Sequence, residues 1–396
     1  MKIQDVHIVI LSSIKWDFLW QRHQIIAEYF SQFTHVTYVE TTGLRNPAPF
    51  KAVERLYRGM SLNRKRKKRE SGSNVNILPP IVAPPTLKLF RTINQHIFTP
   101  SLASKILNYS NKPILFITYL PTSTSLYLMD ELNPITTIYD CVLNFENFPG
   151  IPKDIVQTEN ELIHKADALI VDSKHLFEKH TGKKAVIRRI PSAVDFESFS
   201  RAAGLAHGES SKSGGGKVKA TYFGGIDQYR MDWGVIEELL KAGITVELIG
   251  PAPDGIPIKH GQLIHQKPLP HEQLPYALQD SDVLILPYKL TEFTKGTYPA
   301  KLFECFATGK PIVATPLPDL IPYGDLIEIA DSPSLFTEKV LAAVSRDDVL
   351  KRTSRIDLAR ENSWEVRCQS YEQVLEEVLF EVSLNELVKI GSRGRD

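Results

Sequence analysis

The chain has 396 residues, of which 42% are hydrophobic and 23% are charged. This composition is typical of a globular protein, and the length allows two domains with substantial cores. The formal net charge of +1 excludes a uniformly basic nucleic-acid-binding protein. Three cysteines without paired spacing predict a reducing compartment and argue against a cysteine-based zinc site. No apolar run approaches the roughly 20 residues of a membrane span, so we expect a cytoplasmic protein.

In the first half of the chain, short apolar strands alternate with helical stretches. Strands are predicted at Val6–Leu11, Val36–Val39, Ile114–Thr118, Thr136–Tyr139 and Ala168–Val171. Helices are predicted between them, for example at Arg22–Phe30 and Lys153–Lys165. This alternation is typical of a parallel sheet covered by helices on both faces. We therefore predict a first α/β domain over residues 1–200.

One segment of this domain is strongly basic. Nine lysine and arginine residues lie in Phe50–Arg69, where Glu54 is the single acid. Apolar residues are interleaved with them, which predicts an amphipathic or disordered surface element that associates with anionic lipid. A nucleic-acid patch is the rival interpretation, and a solvated loop is the default.

A segment rich in glycine and serine, Gly204 to Gly216, predicts a flexible linker or loop over residues 201–216. The alternation then resumes, with strands predicted at Val218–Phe223, Val246–Ile249, Val283–Leu286 and Ile312–Ala314. Helices are predicted at Gly234–Lys241, His271–Gln279 and Trp364–Leu379. We predict a second domain over residues 217–363 and a C-terminal helix within residues 364–390.

Two strands of the second domain are predicted to end in glycine-containing turns, YFGG at residues 222–225 and LIGP at residues 248–251. A glycine at the carboxyl end of a strand lets the backbone approach a phosphate, because no Cβ intervenes. A tight turn explains the glycines equally well. Arg230 is the single cation of the first loop and is predicted to contact phosphate, with an ion pair to Asp227 or Asp232 as the alternative.

No metal site is predicted. Asp280-Ser281-Asp282 has the spacing of a DxD metal motif, but it precedes a strand, whereas ligands bind beyond the carboxyl ends of strands in open α/β sheets. The 11 histidines form no HExxH or similar ligand set. His271 is predicted to start a helix.

The stretch Tyr288–Thr315 combines a polar loop, a short helix and a buried strand. Tyr298-Pro299 is predicted to open the helix, because proline is suited to a first helical turn. Gly309 is predicted to end the helix, just before the strand.

Charged residues surround the predicted start of this helix. Its free N–H groups near Thr297, together with Lys295 and Lys301, predict an anion site. Glu304 lies one turn beyond Lys301, where a carboxylate can accept hydrogen bonds from sugar hydroxyls. The alternative is an ordinary capped helix with a solvated Lys/Glu face.

The sequence from Glu304 to Thr315, ECFATGKPIVAT, resembles the nucleotide-sugar site of glycosyltransferase family 4, in which the glutamate holds the ribose. The resemblance covers nearly the whole chain and implies an α/β protein of the GT-B fold, with two Rossmann-like doubly wound domains facing across a cleft. The N-terminal domain would bind the acceptor, the C-terminal domain the nucleotide sugar, and the last helix would pack back on the first domain. The family's second glutamate is replaced here by Gly296. A branch with TxG and PxK before the glutamate shares this loss, and Thr294–Gly296 and Pro299–Lys301 fit that branch.

The resemblance implies two sets of functional residues. The donor site would contain Gly224, Gly225, Gly250, Pro251, Tyr288, Lys295, Gly296, Thr297, Lys301 and Glu304. The catalytic groups would be Lys301, Arg230 and Asp140, although a cap of a helix or loop explains Asp140 equally well.

Further residues of the first domain follow predicted strands or match the family. Ser12-Ser13 and Pro121-Thr122 are predicted at the same sheet edge as Asp140. Glu159 matches a glutamate common in the family, with a solvated helix residue as the alternative. Ile190–Asp195 resembles the family's PNGVD hinge, which is a structural segment.

Within the family, the chain is most similar to glycosyltransferases of teichuronic acid biosynthesis. The implied reaction is retaining transfer of a hexosyl or glycuronosyl group from a nucleoside-diphosphate sugar, with UDP as the expected nucleotide, to a polyprenyl-diphosphate-linked glycan of the cell wall. No close pair of carboxylates and no metal-ligand set is apparent in the sequence, so we expect electrostatic release of the diphosphate without metal or other cofactor. No nucleic-acid partner is expected, and the resemblance favours peripheral association with the inner face of the cell membrane through residues 50–69.

Two alternatives to this enzyme stay open. A catalytically weak GT-B scaffold or binding protein of the same pathway would bind nucleotide weakly and transfer nothing. A Rossmann oxidoreductase is disfavoured, because no G-x-G-x-x-G follows the predicted strand Val6–Leu11.

Overall fold

The computed structural model describes residues 1–41, 75–80, 88–205 and 217–393. The basic segment Phe50–Arg69 and residues 206–216 of the predicted linker lie outside these ranges. The chain divides into two compact units. The first contains residues 1–172, 176–190 and those from 368 onward, and the second contains residues 173–175 and 191–367.

A parallel sheet forms the centre of the first unit. Its described strands are β1 (His7–Leu11), β2 (Val36–Val39), β3 (Val75–Leu78), β4 (Ile114–Thr118), β5 (Thr136–Cys141), β6 (Ala168–Val171) and β7 (Val186–Arg189). The order is β3-β2-β1-β4-β5-β6-β7, the doubly wound arrangement of a Rossmann-like sheet. The helices of this part of the chain are α1 (Arg22–Ser31), α2 (Lys88–Ile93), α3 (Thr99–Leu107), α4 (Ser123–Leu132), α5 (Ile155–Lys165) and α6 (Lys174–His180).

A second parallel sheet forms the centre of the second unit. Its described strands are β8 (Lys219–Phe223), β9 (Thr245–Ile249), β10 (Leu263–Gln266), β11 (Val283–Leu286), β12 (Ile312–Ala314) and β13 (Glu328–Ile329), in the order β10-β9-β8-β11-β12-β13. The helices are α7 (Phe196–Leu205), α8 (Trp233–Lys241), α9 (Leu274–Ala277), α10 (Glu292–Lys295), α11 (Leu302–Ala307), α12 (Pro333–Arg346) and α13 (Val349–Glu361). A 3-10 turn at His271–Gln273 precedes α9.

The last helix, α14 (Trp364–Arg393), returns the chain to the first unit. Tyr371, Leu375 and Leu379 are four residues apart, so they share one helix face, and all three are fully buried. They belong to the same hydrophobic core as Ile8 of β1 and Phe30 of α1. No helix in the described part of the chain is long and apolar enough to cross a membrane.

The predicted central strands are confirmed, and the strands that the sequence missed lie at sheet edges. Every residue of β1, β2, β4, β5, β6, β11 and β12 is buried, and these strands consist mainly of apolar and β-branched residues. The missed strands β3, β7, β10 and β13 are half-buried or exposed, and their mixed composition gives no such signal.

Several predicted helix boundaries are wrong. The helix expected to open at Tyr298-Pro299 begins at Leu302 with Lys301 as its N-cap, and a hydrogen bond from the Leu302 amide to the Pro299 carbonyl (2.9 Å) closes the turn before it. Helix α7 extends to Leu205, into the segment predicted as a linker. The single helix predicted at His271–Gln279 is a 3-10 turn followed by α9.

Candidate functional site

The candidate site lies where the strand order of the second sheet reverses. Strand β8 has β9 on one side and β11 on the other, and open α/β sheets bind ligands beyond the carboxyl ends of strands at such a point. The turns after β8 and β9 are joined by backbone hydrogen bonds: the Gly224 amide donates to Ile249 (2.8 Å), and the Ile226 amide donates to Pro251 (2.9 Å). The two predicted glycine turns therefore form one surface.

Two of these glycines cannot be replaced without displacing a neighbour. Gly224 has φ +113° and Gly250 has φ +147°, conformations that favour glycine. A Cβ on Gly250 would lie 1.9 Å from the carbonyl oxygen of Gly224. A Cβ on Gly224 would lie 2.0 Å from Cε and 2.5 Å from Nζ of Lys301. A tight turn alone therefore does not account for these glycines. Gly250 is needed because the Gly224 backbone lies close to it, and Gly224 is needed because the Lys301 side chain lies close to it.

Lys301 brings a largely buried cation to this surface. Its Nζ also lies over the ring of Tyr222, 5.1 Å from the centroid. Burial by itself lowers the pKa of Lys301, but Tyr222, Tyr288 and Glu304 outweigh it and raise that pKa above its ordinary value. The amine is therefore protonated at neutral pH, as an anion site requires.

Tyr222 and Tyr288 pack against each other next to the glycine turns. Their rings meet edge to face with centroids 6.4 Å apart, and the Tyr222 hydroxyl donates to the carbonyl of Gly225 (2.8 Å). Met231 forms a bridge with Tyr288, and the Lys289 amide donates to the carbonyl of Arg230 (2.7 Å). The loops after β8 and β11 are thus tied together.

Arg230 makes the ion pair that the sequence left open as an alternative. Its Nη1 lies 2.6 Å from Asp227 Oδ2, and its guanidinium lies 5.2 Å from the ring centroid of Phe293. This pairing occupies one edge of the guanidinium, which has five N–H donors in all. Contact with phosphate therefore remains a prediction for Arg230.

Glu304 lies in the first turn of α11 and faces His271. Glu304 Oε1 is 3.6 Å from His271 Nε2, and the two side chains are 19% and 28% exposed. Interaction with Glu304 raises the pKa of His271 above its ordinary value, against the effect of burial. The sequence suggested no partner for Glu304, since His271 was predicted only to start a helix.

Lys295, Gly296 and Thr297 are less well placed for a ligand than predicted. Lys295 Nζ pairs with the exposed Glu292 (2.6 Å). The Thr297 amide and hydroxyl donate to carbonyl oxygens in its own α10 turn, so this amide is not the free N–H group that the sequence predicted. The Gly296 amide likewise donates to Phe293 (3.3 Å). The cation that the structure joins to the glycine surface is Lys301.

In the first unit, Asp140 holds a buried ion pair. Its carboxylate accepts two hydrogen bonds from the Arg22 guanidinium (3.0 and 2.8 Å) and one from the Tyr371 hydroxyl. The Arg22 guanidinium also donates to Ile190 (2.5 Å), and Asp140 is fully buried. This geometry favours a structural role for Asp140, which anchors α14, over the predicted catalytic one.

The other residues predicted at this sheet edge also make hydrogen bonds within the first unit. The Ser12 hydroxyl bonds to Tyr38 (2.6 Å) and His23 (3.2 Å). Thr122 caps α4 by accepting from the Ser125 amide, and Pro121 accepts from a threonine hydroxyl of α5. These contacts assign the three residues to the core of the unit.

Glu159 is buried, so its reading as a solvated helix residue is wrong. Its carboxyl accepts from the Tyr139 hydroxyl (2.7 Å) and the Cys141 thiol (3.7 Å). With His180, Glu159 and Cys141 form the group of possible metal ligands within the described residues, their ligand atoms within 4.8 Å of one another. Burial raises the pKa of both Glu159 and Cys141, and the hydrogen bonds from Tyr139 and Cys141 to Glu159 join these side chains in one buried polar cluster.

The Asp280-Ser281-Asp282 triplet is engaged at the opposite end of the second sheet. Asp282 accepts from the Lys219 amide (2.8 Å) at the start of β8, and the Ser281 hydroxyl donates to Thr221 (2.7 Å). The triplet therefore contacts the amino-terminal part of β8, away from the glycine turns.

Comparisons with known proteins place this geometry in context. No protein-family model matches the chain. The chain is 28% identical over 272 residues to a Bacillus subtilis (strain 168) protein named "Putative teichuronic acid biosynthesis glycosyltransferase TuaH". That match covers 62% of this chain and 66% of the relative.

Solved structures resemble the chain over nearly its whole length. They include sucrose-phosphate synthase from Thermosynechococcus elongatus (TM-score 0.64, 13% identity, 95% of this chain and 100% of the other). Anabaena HepE in complex with UDP and glucose has a TM-score of 0.60 at 11% identity, over 93% and 99% of the chains. The α,α-trehalose 6-phosphate synthase of Burkholderia multivorans has a TM-score of 0.62 at 11% identity, over 96% and 98%. These likenesses show the fold, and the chain has the GT-B fold.

Proposed function

We propose that this chain is a glycosyltransferase that takes a sugar from a nucleoside-diphosphate donor bound in its second unit. The observation that carries the proposal is the position of Lys301, whose amine lies against Gly224 at the strand-order reversal, with Glu304 one turn further along. The similarity to a relative named as a glycosyltransferase supports the same activity.

The site can bind a diphosphate through backbone and cation together. The open glycine turns after β8 and β9 allow close approach of phosphate oxygens, and the Lys301 amine supplies a fixed positive charge. Arg230 would add a second cation by exchanging Asp227 for phosphate. Glu304 would accept hydrogen bonds from the ribose hydroxyls through the carboxylate oxygen that does not face His271.

These groups also provide a means of catalysis. Negative charge grows on the diphosphate as the glycosidic bond breaks, and a preorganised cation in a largely buried site stabilises that charge. We propose that Lys301 and Arg230 perform this role without a divalent metal. Retention at the anomeric carbon and UDP as the nucleotide follow from the family resemblance. The structure of HepE in complex with UDP and glucose supports the uridine nucleotide.

The acceptor is proposed as a lipid-linked glycan of a teichuronic acid-type polysaccharide. The name of the Bacillus subtilis relative supports this pathway. The basic segment Phe50–Arg69 would hold the protein on anionic lipid, where each cation contributes about 1 kcal/mol of attraction. Neutralising Arg64–Arg69 should then abolish sedimentation with anionic vesicles at low salt, and equal sedimentation of the two proteins would exclude this role.

A non-catalytic GT-B binding protein is the second candidate, and the observation that favours it is Gly296 in place of the family's second glutamate. A panel of nucleotide sugars, tested first by thermal shift and then by donor hydrolysis and transfer, separates the two candidates. A ligand that binds the native state raises the melting temperature. We expect a shift with one donor class and release of nucleoside diphosphate from that donor. A shift without any release of diphosphate would favour the binding protein, and no shift with any nucleotide sugar would refute the proposal.

A further inference from the structure

We propose that His271 is a positioning residue for Glu304, holding one carboxylate oxygen so that the other faces the ribose hydroxyls of the donor. This inference rests on the proposed function, and it identifies a residue outside the Lys301–Thr315 segment as part of nucleotide recognition. The chemistry recognised is a vicinal pair of ribose hydroxyls, which any ribonucleoside-diphosphate sugar carries.

The geometry places His271 where it can restrain Glu304. His271 is the first residue of a 3-10 turn, and its ring meets Phe199 of α7 edge-on with centroids 5.5 Å apart. Nε2 then lies 3.6 Å from Glu304 Oε1, within ion-pair distance. The backbone turn and the Phe199 ring therefore fix the imidazole, and the imidazole in turn restricts the carboxylate.

Several acids favour the protonated form of His271. Glu304 from α11 has the largest effect, and Asp195 before α7 and Glu272 on the same turn add to it, so the pKa of His271 is raised although burial opposes this. As pH rises through that pKa, the imidazolium loses its charge and the restraint on Glu304 weakens. Donor affinity should therefore fall with rising pH.

The size of the expected change in donor affinity follows from the conformational entropy that the Glu304 side chain loses when the donor binds. Immobilising one rotamer-rich side chain on binding costs about 0.5–1.5 kcal/mol, and a restrained Glu304 would avoid most of this cost. Loss of the restraint should weaken donor binding by roughly two- to tenfold, since every 1.4 kcal/mol is about tenfold in affinity.

The test is calorimetric titration with UDP-glucose at pH 6 and pH 8.5, where its diphosphate diester does not titrate. Should the donor screen select another nucleotide sugar, that sugar replaces UDP-glucose in the same series. The wild type should bind about two- to tenfold more weakly at the higher pH. His271→Phe keeps a ring against Phe199 but has no donor, so it should bind weakly at both pH values, and His271→Gln should lose the pH dependence.

Two controls separate positioning from a structural effect. His164→Gln replaces an exposed histidine of α5 and should keep the wild-type pH profile. In the Glu304→Ala background, His271→Phe should cause no further loss, because the group that it positions is absent. Wild-type affinity and pH profile in His271→Phe, or a loss that adds fully to Glu304→Ala, would overturn this inference while donor binding stands. Failure of the wild type to bind any nucleotide sugar would overturn the proposed function as well.

Discussion

Replacement of Gly224 by alanine tests whether the Lys301 amine is the cation of the donor site. The new Cβ would overlap Cε and Nζ of Lys301, at 2.0 and 2.5 Å, so the amine has to leave its position over Tyr222. Because the overlapping atoms are the end of a flexible side chain, the fold can accommodate the change. The backbone strain of alanine at φ +113° should cost about 1–3 kcal/mol of stability.

Gly224→Ala should weaken donor binding in addition to lowering stability. A hydrogen bond to a charged group contributes about 1.5–3 kcal/mol, so losing the Lys301 contact should weaken donor binding by roughly 10- to 100-fold. Gly250→Ala gives a contrasting result, because its Cβ would lie 1.9 Å from the backbone oxygen of Gly224. That clash involves backbone and should cost at least about 3 kcal/mol of stability.

Calorimetry with the preferred donor measures the binding change, and urea unfolding measures the stability change. Gly225→Ala is the matched control for stability, since its Cβ meets nothing within 4 Å. Wild-type donor affinity in Gly224→Ala would refute the assignment of Lys301 to the donor site. If the free energy of unfolding of Gly250→Ala equals that of the wild type, the described packing of the two turns is refuted.

Three further predictions concern stability and metals. Asp140→Ala leaves Arg22 charged and buried, so urea unfolding should show a loss of about 3–5 kcal/mol, and a loss below 1 kcal/mol would contradict the buried ion pair. Burial lowers the pKa of His7 to about 4 and of His23 to about 3, from 6.5, so the unfolded chain binds protons first as pH falls. Stability should therefore fall between about pH 6.5 and pH 3, and His23→Gln should reduce that fall. Transfer activity should persist in EDTA, and its restoration by manganese or magnesium after chelation would refute metal-independent catalysis.

The buried centre of each sheet could be predicted from the sequence, and the edges could not. The residues of β11 are all buried and all apolar, and such a pattern is visible without a structure. An edge strand such as β10 is half solvated, so its Leu263–Gln266 sequence resembles a loop. The glycine turns could also be predicted, because a glycine directly after an apolar strand is typical of a turn.

The candidate site was predicted in part, since sequence spacing reports neighbours on one helix but not between elements. Lys301 and Glu304 share α11 or its cap, and their proximity follows from helical spacing. Lys295 has the same charge and lies nearby in sequence, but its short helix α10 directs the amine to Glu292. The contacts of Glu304 with His271, and of Asp140 with Arg22 and Tyr371, join distant elements and required coordinates.

The most direct test of the central claim is a titration of nucleotide sugars into the wild type and Glu304→Ala, with Lys241→Ala as an exposed-residue control on α8. Glu304 would lose its charge-assisted bonds to the ribose, each contributing about 1.5–3 kcal/mol. We predict a donor affinity at least tenfold weaker in Glu304→Ala, with wild-type binding in Lys241→Ala. Equal donor affinity in all three proteins would contradict the account.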